Sequence, residues 1–183
     1  LWDLNVFDMK RAVFAGGCFW CTEAVFKRLK GVESIKSGYT GGFIKNPAYR
    51  EVCQGRTGHT EGIRLDYDET LISYVELLEV FFATHDPTTL NRQANDVGTQ
   101  YRSGIFYTDD DQLETATQFM KSLEAAKIFE NPIVTELTPL EVFYDAEDDH
   151  DSYYDLNREQ PYCTYLIDPK IKKLATYFKS LLK

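Results

Sequence analysis

The sequence predicts a single domain of the α/β or α+β class, built on a central sheet with helices packed against it. Two observations lead there. Short apolar or alternating runs of strand length recur between longer segments with helical periodicity. At 183 residues the chain is long enough for one well-cored domain, and it shows no internal repeat, low-complexity tract or linker.

Taken in order, residues 1–9 read as an N-terminal extension without a pattern, and residues 10–183 as the single domain. The apolar run Ala12-Val13-Phe14-Ala15 predicts a buried strand over Lys10–Ala15. Gly16-Gly17 ends it, and a helix follows at once through Leu29, with Val25, Phe26 and Leu29 on one face. Residues 32–40 read as a second strand, and the Gly-rich stretch Gly41–Gly62 as a long functional loop. Ile63–Tyr67 alternates as a half-buried strand should. Tyr74, Leu77, Leu78, Phe81 and Phe82 form the apolar stripe of an amphipathic helix. A polar segment, 86–103, leads to a short strand at Ile105–Tyr107. Asp109-Asp110-Asp111 suits a helix N-terminus, and Leu113, Ala116, Met120 and Leu123 continue that helix. A strand is expected at Ile133–Leu137, an acidic, Tyr-rich surface helix or loop at 146–157, and a last helix carrying Ile171, Leu174, Ala175, Phe178 and Leu182.

Composition narrows the function classes. With 43% apolar and 27% charged residues the chain reads as soluble. No apolar run approaches the ~20 residues of a membrane span. The net charge of −9, without a basic stripe, argues against nucleic acid or an anionic membrane as partner. No secretory leader is visible, although one removed before Leu1 would leave no trace. Four cysteines (Cys18, Cys21, Cys53, Cys163) are too sparse for a disulfide scaffold and suggest a reducing, cytoplasmic setting.

The strongest local signal is Gly16-Gly17-Cys18-Phe19-Trp20-Cys21. A thiol attacks as thiolate, and a free cysteine with a pKa near ~8.5 is mostly protonated at neutral pH. A helix N-terminus offers unpaired N–H groups and partial positive charge, so the predicted strand-to-helix junction would favour a Cys18 thiolate. The same residues also allow plainer readings. Cys18 and Cys21 could be buried packing residues. They could be a redox pair, or half of a zinc site, though no second ligand pair at matched spacing exists. No metal is therefore expected.

The run GCFWCTEAVF resembles the active-site segment of the methionine sulfoxide reductase A family. GYTGG (38–42), NPAYREVC (46–53), GHTE (58–61), HDP (85–87), NDVGTQYR (95–102) and AEDDH (146–150) resemble that family's blocks in the same order. The likeness spans roughly residues 12–165. It implies an α+β fold: a two-layer α/β sandwich of ferredoxin-like type, with a mixed central sheet and flanking helices. It also implies an oxidoreductase that returns methionine-S-sulfoxide, free or in proteins, to methionine, and so repairs oxidised proteins.

Such a reaction needs a nucleophile, a proton donor, hydrogen bonds to the oxygen and an apolar slot for the methyl group. By resemblance these are Cys18 as nucleophile and Glu61 as acid, with a carboxyl pKa raised by burial. Tyr49 and Tyr101 would bind the sulfoxide oxygen, and Phe19 and Trp20 the methyl group. Asp96 would hold the substrate backbone or orient water. Read without the resemblance, Glu61 is a solvated carboxylate, the tyrosines pack, Asp96 caps a turn, and His59, His85 and His150 are structural.

The sulfenic acid left on Cys18 needs a second thiol. Cys163, expected on a mobile C-terminal tail, is favoured slightly over Cys21, and Cys53 reads as a packing residue. Thioredoxin, or dithiothreitol in its place, would reopen the disulfide, with no bound cofactor. The tail lacks a second, later cysteine, so a two-step relay through it is not expected. A monomer is the default. The rival readings are a thiol–disulfide oxidoreductase using Cys18 and Cys21, a noncatalytic module gripping an apolar side chain through Phe19 and Trp20, and, more weakly, a cysteine protease.

Overall fold

The computed structural model describes residues 9–183, so most of the expected N-terminal extension lies outside the described residues. Met9 does not belong to that extension. It opens the first strand, β1 (Met9–Gly16), and pairs with Asp68.

The fold is mixed α+β around a six-stranded sheet. Along the chain, β1 leads to α1 (Phe19–Lys27), β2 (Val32–Thr40), α2 (Tyr49–Cys53), β3 (Thr60–Asp68) and α3 (Tyr74–Ala83). A two-residue hairpin, β4 (Arg92–Gln93) with β5 (Asp96–Val97), precedes β6 (Ser103–Tyr107), α4 (Asp110–Ala125), β7 (Glu136–Pro139) and β8 (Phe143–Asp145). The short α5 (Tyr153–Leu156), a π-helical turn at Cys163–Ile167 and α6 (Asp168–Tyr177) complete the chain. The strand order is β7-β6-β1-β3-β2-β8, antiparallel except for the parallel pair β6–β7.

β1 is apolar on every residue from Ala12 to Ala15 because both of its faces are covered. Ala12 and Phe14 face the main core. There the Phe14 ring lies 5.3 Å from Phe26, 5.0 Å from Phe81 and 6.0 Å from Tyr74. Val13 and Ala15 pack with Phe106 on the other face, under Leu140 and Phe143.

The helix termini are specified locally. Ser73 caps α3 by accepting from Glu76 N–H, while Glu76 accepts from Ser73 N–H. Asp109 caps α4 by accepting from Gln112 N–H. That places the acidic trio where the helix dipole favours it.

The boundaries differ from the sequence reading where long-range contacts decide them. α1 stops at Lys27, and Leu29 is buried by an antiparallel bridge to Leu182. The stretch expected as a long loop contains α2, and β3 begins already at Thr60. The polar segment 86–103 folds as the β4–β5 hairpin and a 3₁₀ turn at Thr99–Tyr101. The strand expected at 133–137 lies further on, because Val134 N–H bonds to Pro87 O outside the sheet and β7 starts at Glu136, anchored to Arg102 at 2.8 Å. β8 had no sequence signal. It pairs with β2 through Gly38↔Asp145, and a Cβ on Gly38 would meet the Tyr144 carbonyl. The last helix is shorter and earlier than expected, ending at Tyr177 before a 3₁₀ turn at Lys179–Leu181.

Candidate active site

The site forms where β1 hands over to α1. Gly17 makes the turn at φ +91°, with the Gln93 side chain against it. Only glycine takes this conformation without strain, and any Cβ would run into Gln93. Gly17→Ala is expected to lower unfolding stability by about 1–2 kcal/mol or more, measured by urea denaturation; an unchanged midpoint would remove the strain argument.

Cys18 follows as the N-cap of α1, with ψ 128°, so it stands outside the helix it starts. It is buried, and burial, the hydrogen bond to Cys21 and the nearby Glu61 carboxylate all push its thiol well above the ordinary range. This corrects the expectation that the helix N-terminus makes Cys18 the thiolate. The first N–H of the helix, from Phe19, is taken by Glu61 Oε1 at 3.1 Å. The neighbouring thiol behaves the other way. Its hydrogen bond with Cys18 brings Cys21 down to about 7 against burial, with help from Lys170.

Glu61 comes from β3 and pairs across the sheet with Tyr39 of β2. It is 1% exposed, and burial pushes its carboxyl up to about 8 despite the Phe19 N–H. Such a group holds a proton at neutral pH and can donate it. Tyr49, at the start of α2, and Tyr101, in the 3₁₀ turn before β6, converge from opposite sides of the sequence. Burial raises both phenols, and the Glu61 charge raises both further. Each therefore stays a hydrogen-bond donor.

Phe19 is fully buried, its ring 5.7 Å from Tyr39, 6.2 Å from Tyr49 and 5.2 Å from His150. Trp20 stacks on Tyr153 at 3.7 Å and stands edge-on to Tyr162. Its Nε1–H donates to His150 Nδ1 at 3.1 Å, which leaves the imidazole proton on Nε2, towards Glu147. Asp96, on β5, accepts a hydrogen bond from Tyr162 Oη at 2.9 Å, and that hydroxyl also lies 3.7 Å from Cys21 Sγ. Asp96 thus fixes a phenol beside the thiols.

All nine residues singled out from the sequence belong to this one region. Cys163, however, is not on a mobile tail. It is fully buried at the start of the π-helical turn, packed in the same cluster as Cys18, Cys21 and Tyr154. Cys53 ends α2 beside Tyr49 and is half-buried. Sequence reasoning gave no role to Tyr39, Tyr153 or Tyr162, and took His150 for a structural residue. The acidic, Tyr-rich character of 146–157 and the AEDDH block at 146–150 were the signals for part of this wall, and neither reached Tyr162. His59 lies elsewhere, where its ring bonds Ile44 O and accepts from Gly42 N–H, while His85 borders the small cavity behind Cys21, where burial holds it down to about 3 between Phe81 O and Ser103 Oγ. Among the described residues no group of three or more His, Cys, Asp or Glu side chains could hold a metal ion, and no helix is long and apolar enough to cross a membrane.

Two neighbouring buried thiols, beside a carboxylic acid and an aromatic cup, define a cysteine-dependent oxidoreductase site. The sequence profile of the family described as peptide methionine sulfoxide reductase matches residues 10–181, and the chain belongs to that family. The peptide methionine sulfoxide reductase MsrA of Saccharolobus solfataricus is 51% identical over 175 residues, covering 96% of this chain and 98% of that protein. Among solved structures, reduced Mxr1 of Saccharomyces cerevisiae superposes with a TM-score of 0.80 at 35% identity, over 85% of this chain and 90% of that one. Mxr1 in complex with Trx2 matches with a TM-score of 0.57 at 27% identity, over 80% and 85%.

Proposed function

We propose that the chain reduces the S epimer of methionine sulfoxide, free or within proteins, with Cys18 as nucleophile and Glu61 as acid. The observation that carries the reading is the buried Glu61 carboxyl, kept protonated to about pH 8 next to the Cys18 thiol. Cys18 gives up its proton to Cys21, which is within hydrogen-bonding reach, and its sulfur attacks the sulfoxide sulfur. Glu61 protonates the departing oxygen, which Tyr49 and Tyr101 hold by hydrogen bonds. Phe19 and Trp20 enclose the methyl group, and Asp96 acts through Tyr162 on the thiol side of the pocket. The net change is one thiol and one sulfoxide converted to a sulfenic acid on Cys18 and a thioether.

A second thiol then condenses with the sulfenic acid, forming an S–S bond and releasing water. The geometry favours Cys21 over Cys163 for this step. Cys18 sits outside the helix, so the pair is not a rigid i, i+3 helical pair, and Cys21 has the thiol nearer to ionisation at neutral pH. Cys163, packed in the same buried cluster as Cys21, can take the disulfide over in a later exchange. An external dithiol, thioredoxin or dithiothreitol, returns the enzyme to the thiol form. The yeast relative in complex with Trx2 supports thioredoxin in that role.

Residues 10–183 act as one catalytic domain in a reducing, cytoplasmic setting, as a monomer and without a bound cofactor. The order β6-β1-β3-β2, with β1–α1–β2 and β3–α3–β6 as its crossings, supports the finer reading of a two-layer ferredoxin-like sandwich.

The test is a mass measurement. A peptide carrying one methionine sulfoxide, incubated with the protein and dithiothreitol, is expected to lose one oxygen when the sulfoxide is the S epimer and to stay intact when it is R. Reduction of a disulfide substrate with equal loss of the S preference would favour the dithiol oxidoreductase reading. Peptide mapping of enzyme oxidised by one equivalent of sulfoxide is expected to show Cys18–Cys21 as the first disulfide. A first product joining Cys18 to Cys163 would reverse the order given to the two thiols.

A further inference from the structure

α6 delivers a cation to the back of the thiol pair. Lys170, in its first turn, lines a small internal cavity together with Cys21, Gly16, Thr84 and His85. Its Nζ donates to the Thr84 carbonyl, at the C-terminal end of α3, which aims the ammonium group at α1. The groups of opposite charge that act on Lys170 are the two thiols, Cys21 first, while Lys173 opposes them and burial weighs against the charge. Lys170 joins none of the ion pairs among the described residues, although Asp86 and Glu130 border the outer cleft it also lines, and the opposite charges that act on it most are the two thiols.

We propose that Lys170 is a positioning residue for the resolving step, its ammonium group stabilising the negative charge that Cys21 carries when it attacks the Cys18 sulfenic acid. The proposal rests on Cys21 as the first resolving thiol. The groups facing Cys21 are Cys18 across the start of α1, Tyr162 with Asp96 behind it, Glu61 from β3, Cys163 from the π-helical turn, Lys170 from α6 and, across the small cavity, His85, which burial keeps neutral. Of these only Lys170 is cationic. The attack leaves atoms balanced without it: the Cys21 sulfur displaces hydroxide from the Cys18 sulfur, a proton joins the hydroxide, and water leaves. Lys170 lends charge and no proton.

The test uses the full-length reduced enzyme and two variants. Lys170→Gln keeps a donor for Thr84 O and removes the charge, and Lys170→Arg keeps both. The first readout is iodoacetamide labelling of Cys21 against pH, followed by mass spectrometry, and it needs no turnover. Removing a cation next to a thiolate moves its midpoint up by about one unit, so Lys170→Gln is expected to titrate near pH ~8 and Lys170→Arg near the parent. The second readout is the rate of disulfide formation after one equivalent of sulfoxide, with the sulfenic acid trapped by dimedone. At pH 7 it is expected to fall about fivefold in Lys170→Gln, following the thiolate fraction, and to recover at pH 9. An unmoved labelling midpoint in Lys170→Gln overturns the proposal. So does a loss shared equally by both variants with the midpoint unmoved, which marks a structural prop. If Cys18–Cys163 is the first disulfide while the labelling midpoint still moves, the order of thiols is wrong and Lys170 has no part in resolution.

Discussion

Replacing Cys18 with serine is expected to abolish sulfoxide reduction, with turnover falling by on the order of 10⁴-fold or more, because the covalent step proposed for Cys18 needs its thiol. Cys21 has the lower thiol pKa, about 7, yet it lies inside the first turn of α1, against Tyr162. Cys18 lies at the N-cap, next to Phe19 and the Glu61 carboxyl. In the proposed mechanism, position relative to the acid and the aromatic cup, more than acidity, therefore selects the nucleophile. Serine differs from cysteine by one atom at a buried site, so the fold should survive and the loss should appear in turnover alone.

The same variant has a second, independent signature. Cys21 owes its depressed pKa first to the hydrogen bond with Cys18. In Cys18→Ser the midpoint for iodoacetamide labelling of Cys21 should stay near about 7, since the serine hydroxyl can still donate to the thiolate, whereas in Cys18→Ala, which offers no donor, it should rise. If Cys18→Ser turned over at the parental rate while Cys21→Ser was dead, the roles of the two thiols would be exchanged.

Much of this site was legible from residues close in sequence. The strand, Gly-Gly turn and helix start around Cys18 follow from a local apolar run, a glycine pair and helical periodicity, and all three reappear as β1, Gly17 and α1. Glu61 and Tyr49 were visible only through the family's blocks. No periodicity distinguishes a buried acid from a surface one in GHTE, and the burial comes from the β2–β3 pairing. The electrostatic direction for Cys18 was misjudged for a related reason. A helix N-terminus does favour an anion, but a carboxylate 42 residues away had already taken its first N–H.

The wall made by Tyr153, Tyr162 and His150 was illegible because those side chains reach Trp20 and Cys21 across more than a hundred residues of chain. β8 has three residues and one paired neighbour, β2, too little for a sequence pattern to register. Lys170 fell within a helix whose exposed lysines look alike in sequence. Only the packing of α6 against α1 and Thr84 sets it apart.

Glu61→Gln is expected to lose catalysis and gain stability, and the two effects share one cause. As proton donor Glu61 should be worth about 10²–10⁴-fold in turnover, and glutamine has the shape of the protonated acid with no proton to give. The parent's turnover should fall as pH rises through about 8, where Glu61 ionises, and this limb should vanish from the residual activity of the variant.

Stability follows from proton linkage. The native carboxyl binds its proton up to about pH 8, whereas the unfolded one releases it near 4.5. Between those values the native state holds a proton that the unfolded chain has lost, so rising pH favours unfolding. Below 4.5 both forms are protonated and there is no penalty. Above about 8 the penalty is complete, on the order of 5 kcal/mol at roughly 1.4 kcal/mol per unit. Glutamine carries no such charge. Urea denaturation of parent and variant should therefore nearly coincide at pH 4.5 and diverge steadily to pH 8, with the variant more stable by a few kcal/mol. Parallel stability curves across that range would mean that Glu61 titrates like a surface carboxylate, and the acid role would go with it. A carboxyl retained at such a cost in a fully buried position is what the proposed delivery of a proton to the sulfoxide oxygen requires.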